Sequence, residues 1–283
     1  MATSATARGR RSGQRTQRAT VAREAVAIVE REIRSTVRPP RSRYLHEFNQ
    51  AFRHYEKCLG PIELAAELRT ADILLIGDYH SLPACQEFAA FLLRQLAGLE
   101  DRPLALGLEA VYASRQAVLD TWFEGTSGSD KDGDKLRERL RFDRDWGYDW
   151  DPYRELFTVA RKNCAAVWGL DSEPRKDLRR VRGRDRHAVS RILAMRDAHP
   201  DARLVVLMGE SHLAPKHLPR LLREGLPGER VVTVLQNVDA IYWQIADGDG
   251  AHPPSVRVSE DVVCVFNATP MEKYESYQAY LER

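Results

Sequence analysis

Apolar residues follow two alternating rhythms along the chain. Continuous apolar runs at about 72–77, 103–107, 165–169 and 203–208 carry no polar alternation, which predicts strands covered on both faces. Between them the spacing turns helical. "ACQEFAAFLLRQLAGL" (84–99) sets Phe88, Phe91, Leu92, Gln95 and Leu96 on one face and ends at Gly98. "YASRQAVLDTWF" (112–123) predicts another helix, 174–198 a long basic one in two pieces around Gly183, and 215–224 a fourth. Strand and helix therefore alternate four times. That predicts an α/β fold, a mostly parallel sheet between two helix layers in an α/β/α arrangement.

Two regions interrupt the alternation. "EGTSGSDKDGD" (124–134) reads as an exposed loop, and 135–163 as two short helices around Trp146, Tyr148, Trp150 and Tyr153. Together they make a small helical insert over about 120–163. The last part reads as β at 231–236, 240–245 and 261–266, before a closing helix at 271–282.

Charge separates the N-terminus from the rest. Residues 1–43 hold eleven arginines against Glu24, Glu30 and Glu32, a balance of +8, so the remainder carries −6 of a net +2. The first twenty residues contain no acid and little to bury, which predicts a disordered tail. Within it, Val21, Ala25, Ile28, Val29 and Ile33 are spaced for an amphipathic helix before Pro39 and Pro40 break the chain. The expected organisation is a basic tail over 1–43 and one α/β domain over 44–283. No aromatic residue interleaves with the tail arginines, so nucleic acid is not an expected partner except through the tail itself.

The leader lacks the apolar core of a secretory signal, and no run approaches the ~20 apolar residues that cross a bilayer. Cys58, Cys85, Cys164 and Cys264 are far apart, without a CxxC pair or a disulfide-framework spacing. A cytoplasmic compartment is the expectation.

Chemistry concentrates where the apolar runs stop. "ILLIGDYH" (73–80), "LALGLEA" (104–110), "AVWGLDSE" (166–173) and "LVVLMGESH" (204–212) each end in glycine followed by acid, histidine or hydroxyl. In a parallel sheet all strand C-termini share one edge, where ligands bind. Asp78-Tyr79-His80, Glu109, Asp171-Ser172-Glu173 and Glu210-Ser211-His212 are therefore expected on one rim. Glycine at these ends permits a sharp turn or a close approach. His80, Glu109 and His212 suit two uses. They could ligate Zn²⁺ or Fe²⁺ with open positions left. Alternatively, a histidine oriented by Glu109 could activate water while Arg184 or Arg186 stabilises an oxyanion.

Other motifs fail. In "GESHL" Leu213 stands where a nucleophile elbow needs its second glycine. In "DKDGD" (130–134) the glycine comes fourth, where a calcium loop needs it sixth. There is no dinucleotide or Walker-A string.

"GDYH" (77–80) and "GESH" (209–212), with "LGLEAV" (106–111) between them, resemble ChaN-like haem-uptake proteins. These share a superfamily with Tiki proteases, TraB proteins and erythromycin esterases. "YDWDPYRELFTVAR" (148–161), "VWGLDSE" (167–173) and "GRDRHAVSRI" (183–192) are similar to further family elements, so the likeness spans about 70–217. The resemblance implies an α/β sandwich with a helical insert and a pocket at the strand ends. It carries the family's histidines to His80 and His212, its glutamate to Glu109, and its arginine to Arg184 or Arg186. Bound haem or a divalent metal is implied, with Tyr79 as a further haem ligand. A superfamily hydrolase using the same residues on water is the competing implication. A small-molecule partner is expected, and a homodimer is left open. An arginine-rich leader stands where haem-carrying members have a lipidated cysteine, which points away from an outer-surface carrier.

Overall fold

The computed structural model describes residues 42–99, 101–125, 130–173, 181–246 and 253–283, together with Thr20. The tail over 1–41 and its amphipathic helix lie outside the described residues, Thr20 excepted, as does 174–180.

The chain opens with helix α1 (Ser42–Ala51), strand β1 (Lys57–Leu59) and helix α2 (Pro61–Arg69). The alternation follows: β2 (Ile73–Asp78), α3 (Pro83–Ala97) and β3 (Leu104–Tyr112). Four helices then precede the next strand: α4 (Gln116–Glu124), α5 (Asp130–Leu140), α6 (Phe142–Asp145) and α7 (Trp150–Asn163). Strand β4 (Ala166–Asp171), α8 (Val181–Ala198), β5 (Arg203–Gly209), α9 (Leu218–Gly225) and β6 (Val231–Gln236) continue the pattern. Helix α10 (Asp239–Ala246), the hairpin β7 (Ser255–Ser259) and β8 (Val262–Val265), and helix α11 (Pro270–Leu281) complete it.

The eight described strands form one sheet in the order β1-β7-β8-β6-β2-β5-β3-β4. Every pairing from β8 to β4 is parallel, and β7 and β1 add antiparallel strands at one edge. The mostly parallel α/β fold expected from the alternation is thus present. Its strands are apolar throughout because successive residues enter different cores. From β2, Leu74 and Ile76 enter one cluster with α3, α4 and α7, while Ile73 and Leu75 enter a second with α1, α8, α9 and α10. Strand β5 divides likewise, Val205 and Leu207 against Leu204, Val206 and Met208. Among the described residues no helix is long and apolar enough to cross a membrane.

Several local expectations are corrected. The α3 face toward the sheet is Cys85, Gln86, Ala89, Ala90, Leu92, Leu93 and Leu96, and Phe91 is half exposed. Small alanines let the helix settle on the strands, and a count of large apolar residues missed that face. "DKDGD" opens helix α5 instead of lying in a loop, and the insert is built from more than two helices. Helix α8 runs unbroken through Gly183. "AIYWQI" (240–245) is helical: its β-branched and aromatic residues favour a strand, but Ile241 and Ile245, four apart, are the buried pair. Strand β1, only three residues long, and β7, whose "SVRVS" alternates polar with apolar residues, were not anticipated.

Candidate functional site

Strands β2, β5, β3 and β4 are consecutive neighbours in the sheet, so the segments leaving them share one edge. His80 follows β2, Glu109 lies in β3, Asp171 ends β4, and His212 sits in the 3₁₀ turn Glu210–Leu213 after β5. The two histidine Nε2 atoms are each 3.5 Å from Glu109, His80 from Oε2 and His212 from Oε1. The predicted convergence of these three side chains is therefore a feature of the structure.

Local backbone explains why Glu109 reaches that point. The β3–β4 register pairs Leu108 with Gly169 but Tyr112 with Asp171, so β3 carries extra residues opposite β4. This bulge re-aims Glu109 across the sheet end. Gly169 accommodates it, since a Cβ there would lie 2.8 Å from the Tyr112 carbonyl oxygen. Gly209 makes room for the cluster itself. A Cβ at that position would lie 2.9 Å from Glu109 Oε2, 3.3 Å from His80 Nε2 and 3.4 Å from His212 Cδ2. Gly209→Ala is expected to cost about 1–3 kcal/mol and to push Glu109 and His80 apart. Thermal denaturation together with histidine NMR shifts would check it. Gly77 and Gly107 also lie within strands but face apolar side chains: a Cβ on Gly77 would lie 3.3 Å from Leu213 Cδ1, and one on Gly107 would strike Leu170. They serve packing, not turns.

Each imidazole is fixed from behind by a carboxylate. His80 Nδ1 is 2.8 Å from Asp78 Oδ2, and His212 Nδ1 is 2.5 Å from Asp185 Oδ1. Those carboxylates are held in turn. The Tyr153 hydroxyl donates to Asp78 Oδ2 at 2.9 Å, and the Gln86 amide donates to Oδ1. The Tyr44 hydroxyl of α1 donates to Asp185 Oδ2 at 3.0 Å. Arg184 clamps the remaining carboxylates, donating to Asp171 at 2.9 and 3.0 Å and to Glu109. The Gly209 N–H donates to Glu109 Oε2.

Charge follows this geometry. Burial opposes ionisation of Glu109, but His212, Arg184 and His80 outweigh it and hold its carboxyl well below the usual range. Burial likewise opposes a charged His212, yet Glu109 and Asp185 raise its pKa to about 9. His80 is raised well above its usual value because Asp78, Tyr148 and Glu109 overcome burial. These shifts favour an ionised carboxylate between two protonated imidazoles and a guanidinium near neutral pH.

This state bears on the expected ligand set. Among the described residues, no group of three or more His, Cys, Asp or Glu is placed to hold a metal ion. His80, Glu109 and His212 are assembled as an ion-paired cluster, with Arg184 on the carboxylate that a metal would need. The other expected residues separate. Arg184 joins the cluster, whereas Arg186 is exposed. Tyr79 does not join: it lies under Lys273 Nζ, 4.6 Å from the ring centroid. Burial raises the Tyr79 phenol, with Lys273 only partly opposing, which disfavours the phenolate an iron would bind. Glu210 also turns away, accepting from Lys273 at 3.1 Å. His217, after the "GESH" turn, stacks on Tyr44 at 3.7 Å with its Nε2 2.7 Å from Glu47. Asp185, Gln86, Tyr44 and Lys273 were not anticipated. Asp185 alone left a signal, being adjacent to Arg184 on a helix.

A family model described as "Haem-binding uptake, Tiki superfamily, ChaN" matches residues 64–191. That span contains His80, Glu109, Asp171, Arg184 and Asp185 and stops before His212. Among solved structures, the chain is similar to ChaN of Campylobacter jejuni, described with cofacial haem binding, at 15% identity and a TM-score of 0.48, covering 72% of this chain and 91% of that one. It is also similar to the type III effector HopBA1, at 14% identity and a TM-score of 0.47, covering 77% and 98%. No curated protein matches in sequence. Over residues 64–191 the chain is ChaN-like, similar to the haem-binding uptake family of the Tiki superfamily.

Proposed function

We propose that the chain binds haem at the mouth of the His80–Glu109–His212 cluster. The family description of the matched span supports a haem-binding or uptake-related function. The observation that carries the assignment to this place is the position of His80. Its side chain is 14% exposed, against 4% for His212, and it lies 5.7 Å from the Trp146 ring and 5.1 Å from that of Tyr148.

The residues fit the group by type. Imidazole is an axial ligand to haem iron. Asp78 holds Nδ1 and leaves Nε2 as the ligating atom, a common arrangement behind metal-bound histidines. Nε2 stands 3.5 Å from Glu109, beyond hydrogen-bond length, so the ring is not locked inward. When bound, haem supplies an iron centre open to an imidazole. The chain's part is to orient His80, release its Nε2 proton, and present flat rings to a flat ligand. Hemin titration followed at the Soret band tests the reading. His80→Ala is expected to lose the shift, and His212→Ala, which removes a ring held behind the mouth, to retain it. A His80→Ala protein that titrates like the parent sinks the proposal.

A second reading is hydrolytic, favoured by one specific feature. Two carboxylate-backed imidazoles share a single buried carboxylate, an orienting pattern suited to general acid–base work. With Glu109 held ionised and low, the imidazoles would serve as acids and Glu109 as the charge that sets them. Arg184 is committed to Asp171 and Glu109, so an oxyanion role for an arginine gains no support. A panel of ester and peptide substrates, with and without chelator, separates the readings. Turnover abolished equally by His80→Ala and His212→Ala favours hydrolysis, because haem ligation requires only His80.

A further inference from the structure

Helix α11 is fastened at both ends to segments that carry site residues. Thr269 and Glu272 form a capping box at its start. One turn on, Lys273 is buried, donating to Glu210 at 3.1 Å and to the Asn237 carbonyl at 3.4 Å while covering the Tyr79 ring. That end is thereby tied to the "GESH" turn that carries His212. At the far end, Tyr280 packs on Tyr148 with ring centroids 4.7 Å apart, and Arg283 pairs with Asp149 at 3.0 Å. That end is tied to the insert turn whose Tyr148 contacts His80. Tyr148 and Tyr280 are both half-buried. A Lys–Glu pair buried this way adds little net stability for its desolvation cost. It does fix the position of the helix relative to β5.

Resting on the haem reading, we propose that α11 is the outer wall of the site. The Tyr148–Tyr280 ring pair stands between solvent and His80 and selects for flat, π-rich ligands. Such a ligand reaching the imidazole separates the two rings and regains the lost contact by stacking against them. A bulky non-planar ligand separates them without that return. All the wall residues contributed by α11 lie beyond residue 191, outside the matched span.

The test reads His80 directly. Carbethoxylation by diethyl pyrocarbonate, followed per peptide by mass spectrometry at fixed pH, reports imidazole accessibility without any haem. Tyr280→Ala should raise the His80 rate about 5-fold, the value of roughly 1 kcal/mol of ring contact. Tyr280→Phe should leave it near the parent. His54, exposed and remote in sequence, is the internal reference. Arg283→Ala loosens the same helix end without touching a ring and should give an intermediate rise. An unchanged His80 rate in both Tyr280→Ala and Arg283→Ala overturns the wall. In parallel, Tyr280→Ala should weaken hemin binding about 5-fold. A hemin affinity unchanged by Tyr280→Ala, with His80 more reactive, overturns the selectivity. If the parent protein gives no Soret shift, the haem reading fails separately and the carbethoxylation result still decides the wall.

Discussion

Replacing Arg184 by methionine is expected to destabilise the protein by about 3–5 kcal/mol, the usual cost of removing one partner from a buried ion cluster. Arg184 is 8% exposed, and its guanidinium spans two carboxylates, Asp171 and Glu109, that are 1% and 2% exposed. Methionine fills the volume and takes the guanidinium from both acids. Asp171 loses two donated hydrogen bonds, and Glu109 keeps only the imidazoles and the Gly209 N–H. Urea unfolding should show the loss as a shifted midpoint with an unchanged slope. Adding Glu109→Gln to the variant removes one of those charges and should recover part of it, a coupling that a double-mutant cycle reads directly. Arg186→Met, at an exposed position two residues on, should stay within about 0.5 kcal/mol of the parent. If Arg184→Met falls within that same margin, the cluster is solvated and its buried-charge description fails.

The contrast between Arg184 and Arg186 shows what sequence could and could not give. Positions 184, 185, 188, 189, 192 and 195 are all buried along α8, while 186 falls on the opposite face. That helical phase was available from "RGRDRHAVSRI", where Ala188, Val189 and Ile192 mark the inner face, and it singles out both Arg184 and Asp185. Reading the arginines by motif alone left two candidates and missed the aspartate. The rim was legible because each apolar run stops at a polar string, and parallel pairing sends all such strings to one edge. The placement of β5 between β2 and β3, which brings His212 alongside His80, is a matter of topology that no single string encodes. Tyr44, Lys273 and Tyr280 sit on helices without distinctive sequence and reach the site only through tertiary packing. The β3 bulge that aims Glu109 depends on register against β4, equally hidden until the strands are paired.

His212 alone should make stability fall by about 3 kcal/mol between pH 6.5 and pH 9.5. Its pKa is about 9 in the folded protein, against roughly 6.5 when unfolded. A base whose folded pKa is raised contributes stability that is fully present below the unfolded value and is lost as pH rises through the folded one. His80, also raised, loses its contribution over the same rise, beginning at the unfolded imidazole value, and adds to the slope. Glu109 acts at the other end: its lowered pKa contributes stability above roughly pH 4.5 that disappears as pH falls through the folded value. The cluster is therefore most stabilising between about pH 4.5 and 6.5, where the unfolded carboxylate is already ionised and the unfolded imidazoles are still charged. Urea midpoints at pH 6, 7.5 and 9 measure the alkaline limb, and His212's share alone would lower the thermal midpoint by roughly 5 °C at pH 9.5 in a chain of this size. His212→Asn keeps a short polar side chain beside Asp185 but cannot titrate, so its stability should be lower at pH 6 and should fall less steeply than the parent's toward pH 9. A parent protein with equal midpoints at pH 6 and pH 9 would mean that Glu109 does not hold His212 in its charged form. The three-cation arrangement around that carboxylate would then have to be abandoned.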